Sequence, residues 1–269
     1  MSTETFTENV LSGDGTAIAV ERSGEGRPVV LVGGALSDRS ASTPLAAHLA
    51  RHFSVLNYDR RGRGESDDTA PYAVEREIED LQAVIAAAGG EACVVGLSSG
   101  AVLALEAAAE GLAITRLALY EPPFYADEES ARKAAREYVT ELGELLSAGR
   151  RGDAVALLLG EAGTAEEEIG KMRNAPMWQG MEALAHTLAY DSAVMGRDGR
   201  DGVFSRERVA AVATPTLVLS GGQSPEWLGD MARQVAEAMP GGRHRSLEGQ
   251  THNADPEALA PVLREFFTG

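Results

Sequence analysis

The sequence predicts an α/β fold: a mostly parallel, doubly wound sheet with a helical cap inserted between its two parts. Short apolar runs alternate with stretches of helical period through residues 1–121. The alternation stops at Pro122–Pro123 and resumes at PTLVLSG, residues 215–221. Strands that are apolar nearly throughout belong to sheets covered on both faces, and the helices between them make the pairing parallel. A chain of 269 residues with 44% hydrophobic side chains can supply one large core and an appendage.

TAIAVER (16–22) and PVVLVGG (28–34) are the first expected strands. A helix around Thr43–His52, the strand FSVLNYD (53–59) and a helix over Val74–Ala88 follow. EACVVGL (91–97) runs directly into a helix from Ser99 to about Glu110, and ITRLALY (114–120) is the next strand. Between Pro122 and Val209 the pattern is helical, with no convincing strand. After PTLVLSG, a short strand near HRSL (244–247) and a helix over Pro256–Phe267 complete the chain. The expected division is therefore core at 1–121, cap at 122–209 and core again at 210–269, with Thr214–Pro215 marking the exit from the cap.

Charge narrows the partners. The 41 acidic against 24 basic side chains give a formal charge of −17, which repels phosphate backbones and anionic lipid head groups. Nucleic acid and membrane are not expected partners. A small-molecule substrate is, and a homodimer stays open. Cys93 is the only cysteine and sits in an apolar run, so it reads as a core residue and no intrachain disulfide can form. MSTETFTENV has neither a basic start nor an apolar stretch, and no run approaches the roughly 18 apolar residues of a membrane span, so a cytoplasmic location is expected. His48 and His52 are spaced i, i+4 without a third ligand, and no phosphate-binding glycine loop occurs. No metal and no cofactor are implied.

GLSSG, residues 96–100, fits G-x-S-x-G with Ser98 at its centre, a strand before it and a helix after it. A sharp strand-to-helix turn makes the central side chain project, and Gly96 and Gly100 let neighbouring chain approach closely. Ser98 is the expected nucleophile. Ser99 is then the first helical residue, and its backbone N–H lies at the positive helix end, where a developing oxyanion is stabilised.

Together with LVGGALS (31–37), NYDRRGRGES (57–66) and GQTHNADPEALAPVLREFF (249–267), this motif resembles the α/β-hydrolase superfamily over nearly the whole chain. The resemblance implies a serine hydrolase acting through an acyl-enzyme. Asp59, Arg61, Gly62, Gly64 and Ser66 match its D-x-R-G-x-G-x-S loop, a structural element near the active site. A serine rather than an aspartate at the elbow argues against dehalogenation or epoxide opening. Ester, thioester or lactone hydrolysis remains. Perhydrolysis, cyclisation and C–C bond cleavage are the competing chemistries, and a small-molecule receptor or lapsed enzyme is the competing class.

The superfamily's order of serine, acid, histidine removes His48 and His52 as the base. His186 falls in the cap and His244 is expected on a solvated face between Arg243 and Arg245. His252, in the loop before the final helix, matches the catalytic histidine. The usual acid position, three residues after Gly221, holds Ser224, and Glu226 follows Pro225. Some α/β-hydrolases, including a branch of the haloalkane dehalogenases, carry the acid at the end of the strand before the cap, where this chain has Glu121. The expected triad is Ser98–Glu121–His252. Ser224, water and Glu226 are the alternatives for the acid.

In the superfamily the second oxyanion donor follows a His-Gly pair. Here Gly34 matches the glycine and Ala35 the donor, but Gly33 replaces the histidine, which leaves open how firmly this loop is fixed. Ala35 and Ser99 are the expected oxyanion donors. In APMWQGMEALAHTLAY (175–190), Met177 and Met181 lie at helical spacing with Leu184 and Leu188, and Trp178 stands alongside. Met177, Trp178 and Met181 are expected to line an apolar pocket suited to a small hydrophobic acyl group or lactone.

Overall fold

The computed structural model describes residues 5–196 and 202–269. Its centre is an eight-stranded sheet ordered β1-β2-β4-β3-β5-β6-β7-β8. The strands are β1 (Thr5–Leu11), β2 (Ala17–Ser23), β3 (Pro28–Val32), β4 (Ser54–Tyr58), β5 (Ala92–Leu97), β6 (Ile114–Tyr120), β7 (Thr216–Gly221) and β8 (Gly242–Leu247). From β4 to β8 every pairing is parallel, while β2 runs antiparallel to both β1 and β4. This is the mostly parallel α/β sheet that the alternation predicts.

Side chains alternate across the sheet and divide the core in two. On one face Val30, Val32, Val94, Leu117 and Leu119 pack against α2 (Val74–Ala87), α3 (Ser99–Ala109) and α10 (Glu226–Ala238). On the other, Val29, Leu31, Cys93, Val95 and Ala118 pack against α1 (Thr43–Leu49) and α11 (Pro256–Thr268). Cys93 is fully buried there.

β1 has no counterpart among the expected elements. Its residues are mostly exposed, with Phe6 at 52% and Leu11 at 69%, so no core-facing pattern announces it. What creates it is the turn at SGDG. There Ser12 and Thr16 bond through their backbones, the Thr16 N–H also donates to the Asp14 carboxylate, and the chain folds back to pair with β2.

Between β6 and β7 lie α4 (Glu129–Ser147), α5 (Arg151–Glu161), α6 (Glu166–Met172), α7 (Met177–Leu184), α8 (Leu188–Met195) and α9 (Arg206–Ala210). α4, α5, α7 and α8 pack on one another around Leu142, Leu145, Val155, Trp178 and Leu188. α9 packs on α3 and α10 instead, and its Val209 joins the main core. A single parallel bridge, Tyr125 to Val203, ties the two ends of the segment together. Among the described residues, no helix is long and apolar enough to cross a membrane.

Gly96 and Gly100 set how closely β5, α3 and β3 approach. A Cβ on Gly96 would lie 2.5 Å from the Ala101 Cα, and one on Gly100 would lie 2.4 Å from the carbonyl oxygens of Val32 and Gly33. All of these are backbone atoms that cannot step aside. Gly96→Ala should therefore destabilise the fold by on the order of 1–3 kcal/mol, measured as a lowered urea midpoint. A midpoint equal to that of the parent would refute this account of the packing.

Candidate active site

The carboxyl ends of β3, β5 and β6, adjacent in the sheet, carry the candidate groups. Ligand sites in open α/β sheets form at such ends, where the loops fan apart. Among the described residues, the non-glycine residues with positive φ are Leu36 at 52°, Ser98 at 53° and Glu121 at 46°, one at the end of each of these strands. Left-handed backbone at residues with a Cβ costs energy and persists only where surrounding structure enforces it.

Ser98 sits between β5 and α3 with ψ of −123°. Its N–H donates to the Tyr120 carbonyl at 2.9 Å and its own carbonyl accepts from the Ala101 N–H at 2.8 Å, so the bend is pinned on both sides. The hydroxyl is left in the cleft, 3.1 Å from Nε2 of His252. His252 occupies the loop before α11, which is capped by the Asp255 carboxylate on the Glu257 N–H.

Glu121 ends β6 and is fully buried. Its Oε2 lies 2.5 Å from His252 Nδ1, and its Oε1 accepts the Gly221 N–H at 2.7 Å. Burial alone would raise its pKa, but the hydrogen bonds from His252 and from the Gly221 N–H outweigh burial and lower it below its ordinary value of 4.5. The serine, the imidazole and this carboxylate thus form one continuous line. Glu226, by contrast, is exposed in the first turn of α10.

The loop carrying Ala35 packs directly on the serine turn: a Cβ on Gly34 would lie 3.1 Å from that of Ser98. Ser99 opens α3, so its N–H is one of the first-turn donors with no intrahelical acceptor. The two expected donors therefore belong to backbone segments in contact.

Two expectations about the pocket need correcting. Met177 is 60% exposed and points to solvent. Trp178 is buried among Val155, Ile169 and Ala185, with Nε1 donating to Glu182, so it holds the helices between β6 and β7 together. Amphipathic spacing showed that α7 has a buried face but not what covers that face. Met181 is partly buried and packs at the edge of the same cluster. His244 also differs from expectation: it is half-buried against the Ser220 hydroxyl at 3.0 Å, and burial lowers its pKa.

Nothing in the sequence pattern signals the part played by Arg60 and Arg63. Both are buried, and with Asp191 of α8 they form a charged cluster beneath the serine turn. Three arginines within RRGR look like a solvated run, and only their acidic partners, far away in the chain, reveal otherwise.

The model of the alpha/beta hydrolase family matches residues 29–262. The chain belongs to this family. Among its members, a pimeloyl-[acyl-carrier protein] methyl ester esterase of Xanthomonas campestris is 30% identical over 74% of this chain and 77% of its own length. The (E)-2-((N-methylformamido)methylene)succinate hydrolase of Acinetobacter baylyi is 26% identical over 90% and 89%. The crystal structure of an alpha/beta hydrolase from Sphaerobacter thermophilus superposes with a TM-score of 0.88 at 55% identity, covering 97% of this chain and all of that one.

A carboxylate with a lowered pKa in the folded state adds stability above the ordinary carboxylate range, and that stability is lost as pH falls through it. The Tm difference between the parent and Glu121→Gln should therefore be largest near pH 7 and shrink as pH drops below about 4.5, the ordinary value for glutamate. A difference that stays constant from pH 7 to pH 3 would contradict the charged state assigned to Glu121.

Proposed function

We propose that this alpha/beta hydrolase family member is a serine hydrolase that cleaves a small hydrophobic ester, thioester or lactone through an acyl-enzyme. The observation that carries this reading is the unbroken line Ser98 Oγ, His252 Nε2, His252 Nδ1, Glu121 Oε2, with separations of 3.1 and 2.5 Å. A serine hydroxyl becomes an effective nucleophile only when a base in hydrogen-bond reach takes its proton, and the base needs a partner that fixes its tautomer.

In this reading Ser98 Oγ attacks the substrate carbonyl carbon while its proton passes to Nε2 of His252. Glu121 accepts the hydrogen bond from Nδ1–H and balances the imidazolium charge without taking the proton. The carbonyl oxygen, now an oxyanion, is held by the backbone N–H groups of Ala35 and Ser99. Collapse of this intermediate breaks the bond to the alkoxide or thiolate, which leaves with the proton from His252. Water, deprotonated by the same imidazole, then attacks the acyl carbon, and the acid departs as Ser98 regains its proton.

The apolar cluster that Ala35 and Leu36 share with Tyr138, Leu146, Leu157 and Leu158 supports a hydrophobic acyl group. The 30% identical esterase supports ester chemistry. A receptor or lapsed enzyme drew its support from the missing acid at Ser224 and from Gly33 in place of the histidine; the carboxylate of Glu121 against His252 speaks against the first of these.

A fluorophosphonate probe should label the parent and leave Ser98→Ala unlabelled. On p-nitrophenyl esters and lactones of graded chain length, kcat/KM should rise from acetyl to longer acyl groups. Absence of labelling, or equal labelling of Ser98→Ala, would overturn the assignment of the nucleophile. Glu121→Gln should keep the fold and lower kcat about a hundredfold or more, scaled to triad losses of up to ~10⁴; near-parental turnover would remove Glu121 from the mechanism.

A further inference from the structure

We infer that Asp191 of the cap and Arg63 of the body are positioning residues that preset the oxyanion hole, and that the hole is complete only while α8 is seated on the body. This rests on the reading of Ala35 and Ser99 as oxyanion donors.

The carbonyl of Gly34 and the N–H of Ala35 belong to the same planar trans peptide and point in opposite directions. Whatever grips the carbonyl therefore aims the N–H. Arg63 Nη1 donates to the Gly34 oxygen at 2.5 Å and the Ser37 hydroxyl donates to it at 2.7 Å. Arg60 Nη1 reaches the neighbouring Gly33 carbonyl at 3.3 Å. A cationic donor on the carbonyl also polarises the amide, which strengthens the N–H on the far side as a donor. This grip stands where Gly33 has replaced the expected histidine, and it answers how such a loop is held.

Arg63 is in turn fixed by Asp191, whose two oxygens each accept from Nη2 at 2.9 Å. Oδ1 of the same carboxylate accepts from the Ser99 hydroxyl at 2.8 Å and from Arg60 Nη1 at 2.8 Å. One cap side chain thus reaches both donor segments: the Ala35 peptide through Arg63, and the first turn of α3 through Ser99. Arg60 also pairs with Glu77 of α2, and Glu77 accepts from the Tyr72 hydroxyl at 2.8 Å. Tyr72 stacks on Tyr190 of α8 at 3.9 Å, and the Tyr190 hydroxyl donates to Asp68.

Seating of α8 and alignment of the two donors are therefore one equilibrium. A purely structural cluster would affect stability; this one must also act on the transition state more than on substrate binding.

The test uses Arg63→Met, Arg63→Lys and Ser99→Ala in the full chain, with p-nitrophenyl butyrate as substrate and an alkylboronic acid as the mimic that forms a tetrahedral adduct on serine. Losing one oxyanion donor costs about 10²–10³ in kcat, so misaligning one through Arg63→Met should cost roughly 10- to 100-fold, with KM within about twofold. The boronic acid should weaken by the same factor. Arg63→Lys, which can reach the Gly34 carbonyl or Asp191 but cannot fork to both, should recover part of the loss. Ser99→Ala keeps its N–H and the fold and should lower kcat about fivefold with unchanged KM; it decides the matter if Arg63→Met does not fold. Parental kcat and boronate affinity in Ser99→Ala and in any folded Arg63 variant would overturn this inference alone. Failure of the parent to react with the boronic acid or fluorophosphonate would overturn the serine assignment beneath it.

Discussion

Strained backbone at three adjacent strand ends is the constraint on which the rest of the site depends. Leu36, Ser98 and Glu121 each hold a left-handed φ despite carrying a Cβ, at a cost of about 1–3 kcal/mol apiece. The parallel register makes this tolerable. β5 is hydrogen-bonded between β3 and β6, and β6 between β5 and β7, so the strand ends cannot relax without breaking ladders on both sides. The Ser98 N–H bonds across to Tyr120 and the Glu121 N–H to Leu219, stitching each bend to the next strand. The bends at Ser98 and Glu121 bring a hydroxyl and a carboxylate to the two ring nitrogens of His252, which the loop before α11 supplies.

Electrostatics supplies the second layer. Glu121 is removed from water, yet its oxygens are met by the His252 ring and the Gly221 N–H, so it holds its charge where burial would otherwise neutralise it. Asp191 follows the same logic: burial acts to raise its pKa, and the facing Arg63 and Arg60 outweigh burial and lower it. Buried ion pairs of this kind add little net stability, because desolvation offsets their attraction. Their effect is geometric. A guanidinium that spans two acceptors fixes angles as well as distances: Arg63 bridges the Gly34 carbonyl through Nη1 and Asp191 through Nη2, and Asp191 in turn accepts from the Ser99 hydroxyl.

Much of this was legible in the sequence. GLSSG between an apolar strand and a helix marked Ser98, and the loop before the last helix marked His252. Glu121 stood out because it follows the strand at whose end some α/β-hydrolases carry the acid. The α7 stripe was misleading in part. Met177, Trp178 and Met181 share helical spacing, but one faces solvent, one is buried among the inserted helices and one packs at the edge of that cluster. Periodicity gives the existence of a buried face; it carries no information about whether that face meets a ligand or another helix.

By itself the sequence determined the order of the core strands from β2 onward and the tight turn at Ser98, because spacing and glycine placement are local properties, while the resemblance to the α/β-hydrolase superfamily pointed to His252 and Glu121. Tertiary structure alone decided β1, whose pairing comes from a turn and not from a buried face. It also decided the contact between Arg63 and Asp191, separated by 128 positions. A buried charge has meaning only with its partner, and nothing along the chain tells an arginine which distant carboxylate the fold will bring to it.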